Sequence, residues 1–155
     1  MSSTVLTHVQ LPLRAACAAA LAVAIAQFLQ LEYPLYALVG AVIVTDLVPA
    51  QTRKLGFWRI AGTVLGATLG AAMSYLPRGP VAIGIGILAA MLLCHVLRMR
   101  GAEKVSGYVC GIVLLEHAAH PWSYAALRLL ETALGIAMAM LISLIPLLVS
   151  DDKSS

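Results

Sequence analysis

Six apolar stretches follow one another along the chain, each bounded by proline, glycine or charged residues, with little between them. They run from about Pro12 to Leu31, Leu35 to Val48, Arg59 to Leu76, Val81 to Leu97, Val105 to His120 and Ser123 to Val149. The first is about 20 residues long, the length an α-helix needs to cross the roughly 30 Å hydrocarbon core of a bilayer. In lipid every backbone N–H and C=O must be satisfied without water, so apolar runs of this kind fold as helices. The pattern predicts an all-α integral membrane bundle of six helices, forming one transmembrane domain over residues 1–155. With 61% hydrophobic and 11% charged residues, against about 25% charged in soluble domains, the surplus apolar surface has no soluble core in which to hide.

Basic residues orient the bundle. With the N-terminus inside, the inner segments hold Arg14, Arg53, Lys54, Arg59, Arg98, Arg100, Lys104 and Lys153, and the outer ones hold Arg78 and Arg128. This positive-inside bias places both termini in the cytoplasm, with the cell inner or plasma membrane as the default location. Met1 to Leu13 lacks the basic patch of a cleaved leader, so the first helix is read as retained. The longest connection expected, about Gln51 to Phe57, is too short to carry a domain. No Walker, dinucleotide or calcium-loop motif is present, so the expectation is a protein that is not an enzyme, has no cofactor and no metal, and does not bind nucleic acid. Cys17, Cys94 and Cys110 lie in apolar runs without ligand spacing and read as small buried hydrophobes.

The third and sixth stretches resemble each other at an offset of 69. Arg59 aligns with Arg128, Thr63 with Thr132, Gly66 with Gly135, Ser74 with Ser143 and Pro77 with Pro146. The preceding segments align at an offset of 70, with a one-residue gap, placing Asp46 opposite Glu116. Three spans per half turn the second half upside down, which predicts an inverted repeat: one half over about 12–77, the other over about 81–149. The second and fifth stretches are short and occupy matching places, which in such folds marks a substrate path. The alternative is that Pro49 or Pro121 kinks a longer helix.

Ionisable residues at membrane depth are costly and are functional candidates. Arg59 and Arg128 each precede a threonine by one turn, Thr63 and Thr132, on one helix face. They are read as an electropositive lining for an anion, since a guanidinium holds a carboxylate bidentately; the alternative is interfacial anchoring. Asp46, Glu116, Glu131 and His117 are read as ion-coupling groups or as charge partners of the arginines, with Glu131 placed to neutralise Arg128. His117 and His120 lie one turn apart without a third ligand, and His95 is a weaker candidate. Gly62, Gly66 and Gly70, together with Gly135, read as small-residue stripes for close helix packing. Gln27 and Gln30 are read as interhelical bonding or pore-lining groups. Trp58, Trp122, Tyr33, Tyr36 and Tyr124 read as an aromatic belt at span ends.

From Tyr33 to Ala71 the chain reads YPLYALVGAVIVTDLVPAQTRKLGFWRIAGTVLGATLGA. An aromatic-rich start, an apolar run ending in a polar residue and proline, a short basic loop, and then Arg59, Gly62, Thr63, Gly66 and Gly70 together resemble the fusaric acid resistance or aromatic acid exporter family. The resemblance implies a membrane transporter that exports small organic anions such as aromatic carboxylates, driven by an ion gradient. Plant malate channels look like distant relatives, which keeps a passive anion channel as an alternative. Typical exporters of this kind carry two six-helix regions and large cytoplasmic helical domains, whereas this sequence holds one region. Self-association is therefore expected, with a dimer as the first reading and a trimer as the second. A non-transporting structural membrane subunit is the reading from a different class.

Overall fold

The computed structural model describes residues 3–75, 77, 79–116 and 120–145, without the side chains of residues 3–8. His117, Arg78, Pro146 and Lys153, which the sequence reading uses, lie outside the described residues. Six helices account for nearly all of the rest: α1 (Ser3–Phe28), α2 (Pro34–Val44), α3 (Pro49–Met73), α4 (Pro80–Val96), α5 (Glu103–Glu116) and α6 (Pro121–Ser143). There is no strand among the described residues.

Proline sets the helix starts. It occupies the first turn of α2, α3, α4 and α6, where its missing N–H has no helical partner to lose and its fixed φ suits the helix. Pro49 and Pro121 thus begin helices rather than kinking longer ones. The expected connection from Gln51 to Phe57 is itself helical, and α3 starts ten residues before the apolar run does. Its first turns are amphipathic: Gln51, Arg53 and Lys54 are exposed while Thr52 and Gly56 are buried. Polar composition there marks a face, not a loop. Pro12, expected at the start of a helix, lies inside α1.

α1 and α4 end alike. Gln30 and Arg98 both take the left-handed conformation, with φ of 53° and 54°. The N–H of Leu31 bonds the Ala26 carbonyl at 2.9 Å, and that of Met99 bonds the Cys94 carbonyl at 2.9 Å. These are the closing bonds of a Schellman cap, formed without glycine and therefore at a cost of about 1–2 kcal/mol each.

α2 packs mainly on α6 and α1, α5 packs mainly on α3 and α4, and α3 crosses α6 between them. Buried positions repeat in the same register. In α3, Thr52, Gly56, Arg59, Gly62, Thr63, Gly66, Ala67 and Gly70 are buried. The residues 69 further on in α6 are all buried as well. Ala37, Gly40, Ala41 and Val44 of α2 correspond in the same way to Ser106, Val109, Cys110 and Val113 of α5. At this same offset of 69 Asp46 falls opposite Leu115, whereas the offset of 70 read from the sequence sets it opposite Glu116.

Close approach depends on the glycines at the two matching seams. A Cβ at Gly66 would lie 2.3 Å from the Ser106 carbonyl oxygen, and one at Gly135 would lie 2.1 Å from that of Ala37. The larger core cluster is mostly alanine, from Ala18, Ala19, Ala22 and Ala26 to Ala37, Ala41 and Ala139, with Val44 and Ile136. Large apolar side chains lie outside instead, among them Phe28, Val81, Val96 and Leu115. Small residues within and large ones outward is the distribution of a helix bundle whose solvent is lipid. α1, α3 and α6 are long and apolar enough to cross a bilayer, whereas α2 and α4 are shorter apolar helices.

Candidate functional site

Arg59 on α3 and Arg128 on α6 are 5% and 3% exposed. Both reach the ring of Tyr108 on α5, their guanidinium carbons 5.9 and 5.7 Å from its centroid. Arg128 also lies 3.7 Å above the ring of Tyr36 on α2. It donates to the Tyr124 hydroxyl at 3.1 Å, and that hydroxyl is hydrogen-bonded to the Tyr36 hydroxyl. Tyr33 closes the cluster, its ring edge-on to Tyr124 at 5.3 Å. Tyr33 precedes α2, outside the spans; burial first, and then the charge of Glu32, raise its phenol above its ordinary pKa. Four helices thus deliver two arginines and three tyrosines to one locus, and Tyr108, 37% exposed, opens it to the surroundings.

Neither arginine has a carboxylate within ion-pair distance among the described residues; the one ion pair there joins His95 and Glu103 at the α4–α5 connection. The Nε of both arginines is buried and without a hydrogen-bond partner. Desolvating a cation costs several kcal/mol, while an aromatic face returns about 2 kcal/mol when the cation is desolvated. Among the described residues the two buried positive charges meet π-faces and hydroxyls rather than a paired carboxylate.

The other expected residues are distributed more widely. Thr63 and Thr132 are buried; Thr63 donates to the Arg59 carbonyl at 2.8 Å, one turn back on its own helix. Glu131 is fully buried but does not pair with Arg128: its Oε1 accepts the Tyr33 N–H at 2.7 Å, and its Oε2 has no partner. Asp46 shapes the α2–α3 turn, accepting the Val48 N–H at 3.0 Å on its carboxylate and receiving the Thr52 hydroxyl at its backbone. Glu116 ends α5 at the rim of a hollow of about 360 Å³, lined also by Glu32, Tyr33, His120, Ser123, Tyr124 and Leu127. Tyr33 and Tyr124 link this vestibule to the arginine cluster. A larger hollow, about 450 Å³ between Met73 and Ile85, has no charged group among the described residues that line it. Gly62, Gly66 and Gly70 pack on α5, and Gly135 packs on α2. Cys94 and Cys110 are buried, but Cys17 is exposed on α1.

Two features escape a reading of the sequence. The tyrosines taken as an interfacial belt converge on Arg128, and Tyr108, which draws no notice in the sequence, touches both arginines. Arg14, counted there only for orientation, is 2% exposed and donates to the carbonyls of Leu47 at 3.0 Å and Ile145 at 3.2 Å, tying α1 to the ends of α2 and α6. A lone arginine facing an alanine stripe is the signal that marks it.

Comparison with known proteins adds one finding. The model of a family described as fusaric acid resistance protein-like matches residues 21–142. No curated protein matches, and no solved structure does.

Proposed function

We propose, because the chain belongs to the fusaric acid resistance protein-like family, that this integral membrane protein carries small organic anions of the aromatic-carboxylate kind across the bilayer, as an exporter acting as a homo-oligomer. The observation that carries the reading is the pair of buried guanidiniums of Arg59 and Arg128 on one tyrosine ring, with no carboxylate among the described residues paired to either. A carboxylate entering between them gains charge-assisted hydrogen bonds, and its aromatic body meets Tyr36, Tyr108 and Tyr124. The matching burial of α2–α3 and α5–α6 supports an inverted repeat with the site where α3 and α6 cross, the position such repeats give to a substrate. In this reading both termini face the cytoplasm, in the cell inner or plasma membrane.

The test is flux of benzoate-type anions into liposomes holding the full chain, with and without a pH gradient, beside Arg128→Glu and Arg128→Lys. Saturable, gradient-dependent flux, lost in Arg128→Glu and reduced in Arg128→Lys, is the expected result. Flux indifferent to the gradient would instead describe a passive channel of the same fold. No flux above empty liposomes for several such anions would leave a structural membrane subunit as the better reading.

A further inference from the structure

We propose that Glu131 is a proton-binding site whose occupancy rises and falls with that of the anion site. The inference rests on the anion-carrying role and adds the group that couples it to protons.

The two halves of the bundle differ in one instructive place. Position 62, on α3, is glycine, and a Cβ there would lie 2.7 Å from the carbonyl oxygen of Ala102 just before α5. The residue 69 further on is Glu131, and 69 before Ala102 is Tyr33. So where the first half closes its contact with a bare glycine, the second half places a carboxylate against the Tyr33 backbone, Oε1 accepting the N–H at 2.7 Å. Packing alone does not call for a carboxylate there, since a small residue serves the matching contact.

Glu131 is fully buried, and its Oε2 has no hydrogen-bond partner. It is in ion-pair contact with no cation among the described residues. A buried, unpaired carboxylate costs several kcal/mol, which a bound proton relieves by removing the charge. The geometry leaves room for that proton on Oε2 while Oε1 keeps the Tyr33 N–H. Among the described residues the charged and titratable groups that act on it are Tyr33 from the approach to α2, Arg128 on its own helix and Glu32 from the α1–α2 turn; Tyr36, Tyr108, Tyr124 and Arg59 belong to the cluster around Arg128 and Tyr108, and Glu116 to the vestibule beside Tyr33. Arg14 of α1 is bound to carbonyls at the other end of the bundle.

Coupling follows from the nearest of these charges. With the anion site empty, the field of Arg128, three residues away on the same helix, supports the ionised form of Glu131. An anion bound to Arg128 cancels that field, and Glu131 takes a proton from water. By linkage the proton strengthens anion binding by the same factor. Anion and proton therefore occupy the protein together, so net export proceeds only while the outward gradient of the anion exceeds any inward gradient of protons. The vestibule lined by Glu32, Glu116, His120 and Tyr33 is the place where the proton exchanges with water.

The experiment uses the full chain in nanodiscs and benzenesulfonate as the probe, whose own charge does not titrate. In the native protein its affinity falls as pH rises, by at most about tenfold per pH unit for a single proton, and mixing takes up protons from a weakly buffered solution. In Glu131→Gln, which retains an acceptor for the Tyr33 N–H, the affinity becomes independent of pH and the uptake is lost. A native protein that binds the probe equally at all pH values would overturn the proposal, as would a variant with the native slope. If the probe does not bind at all, the anion reading fails by itself. Infrared spectra then decide the proton site separately: a protonated carboxyl band that titrates in the native protein and is missing in Glu131→Gln upholds it, and identical spectra overturn it.

Discussion

Replacing Gly135 by alanine places a methyl group 2.1 Å from the carbonyl oxygen of Ala37 and 2.8 Å from the amide nitrogen of Ala41. Carbon and oxygen in ordinary contact lie about 3.3–3.6 Å apart, so α6 and α2 must separate by roughly 1 Å at this point. Neither obstructing atom can rotate away, because both belong to helix backbone. Overpacking of this kind costs about 1–3 kcal/mol, and the better helix propensity of alanine offsets no more than about 1 kcal/mol. The expected net loss is about 2 kcal/mol, a factor of roughly 30 in the ratio of folded to unfolded protein. Gly66→Ala should lose a similar amount, since its methyl would meet the Ser106 carbonyl at 2.3 Å on the matching seam. Gly84→Ala, with nothing within 4 Å, should gain up to about 1 kcal/mol from helix propensity. Reversible unfolding in mixed detergent–SDS micelles, followed by the fluorescence of Trp58 and Trp122, measures all three. A Gly135→Ala protein as stable as the native one would refute the backbone contact between α2 and α6, and with it the shared burial register.

Two further predictions concern residues around the site. Arg14→Met removes the bonds to the Leu47 and Ile145 carbonyls, and each hydrogen bond to a charged group contributes about 1.5–3 kcal/mol; the same assay should show a loss of about 3 kcal/mol or more, with faster hydrogen exchange in the α2–α3 turn, and native-like exchange there would count against the contact. Tyr124→Phe removes the hydroxyl that Arg128 and Tyr36 share; at about 1 kcal/mol per bond benzoate affinity should fall roughly 5- to 30-fold, whereas Tyr75→Phe, which loses only a bond to exposed Trp122, should leave it nearly unchanged.

The sequence exposes the parts of this molecule that follow from solubility and covalent geometry. Six apolar runs give six helices, and prolines mark most of their starts. Arg59 and Arg128 stand out because a cation within an apolar helix has few bland explanations. The tyrosines stand out far less, because aromatics near span ends are common in every membrane protein. Only the packing of α2, α5 and α6 brings Tyr36, Tyr108 and Tyr124 to one arginine, from positions far apart in the chain. The start of α3 is hidden for a local reason: Gln51, Arg53 and Lys54 look like a basic loop until Thr52 and Gly56 are seen to share the opposite face. Glu131 is half legible. Its spacing from Arg128 suggests an ion pair, but the side chain turns to the Tyr33 N–H instead.

The shortness of α2 and α5 has an electrical consequence. The 11 residues of α2 rise about 16 Å and the 14 of α5 about 21 Å, where a hydrocarbon slab measures about 30 Å. Thr45 and Asp46 at the end of α2, and Glu116 at the end of α5, bring polar groups deeper than a full-length span would. With α2 and α5 set across a bilayer, the insulating layer along them would be thin, and the membrane voltage would drop over a correspondingly short distance. On the proposed anion-carrying role, an anion crossing alone would meet work of about 2.3 kcal/mol for each 100 mV over that shortened distance. Carried together with a proton, as the Glu131 proposal has it, the anion would cross without net charge, and its flux would be indifferent to the voltage.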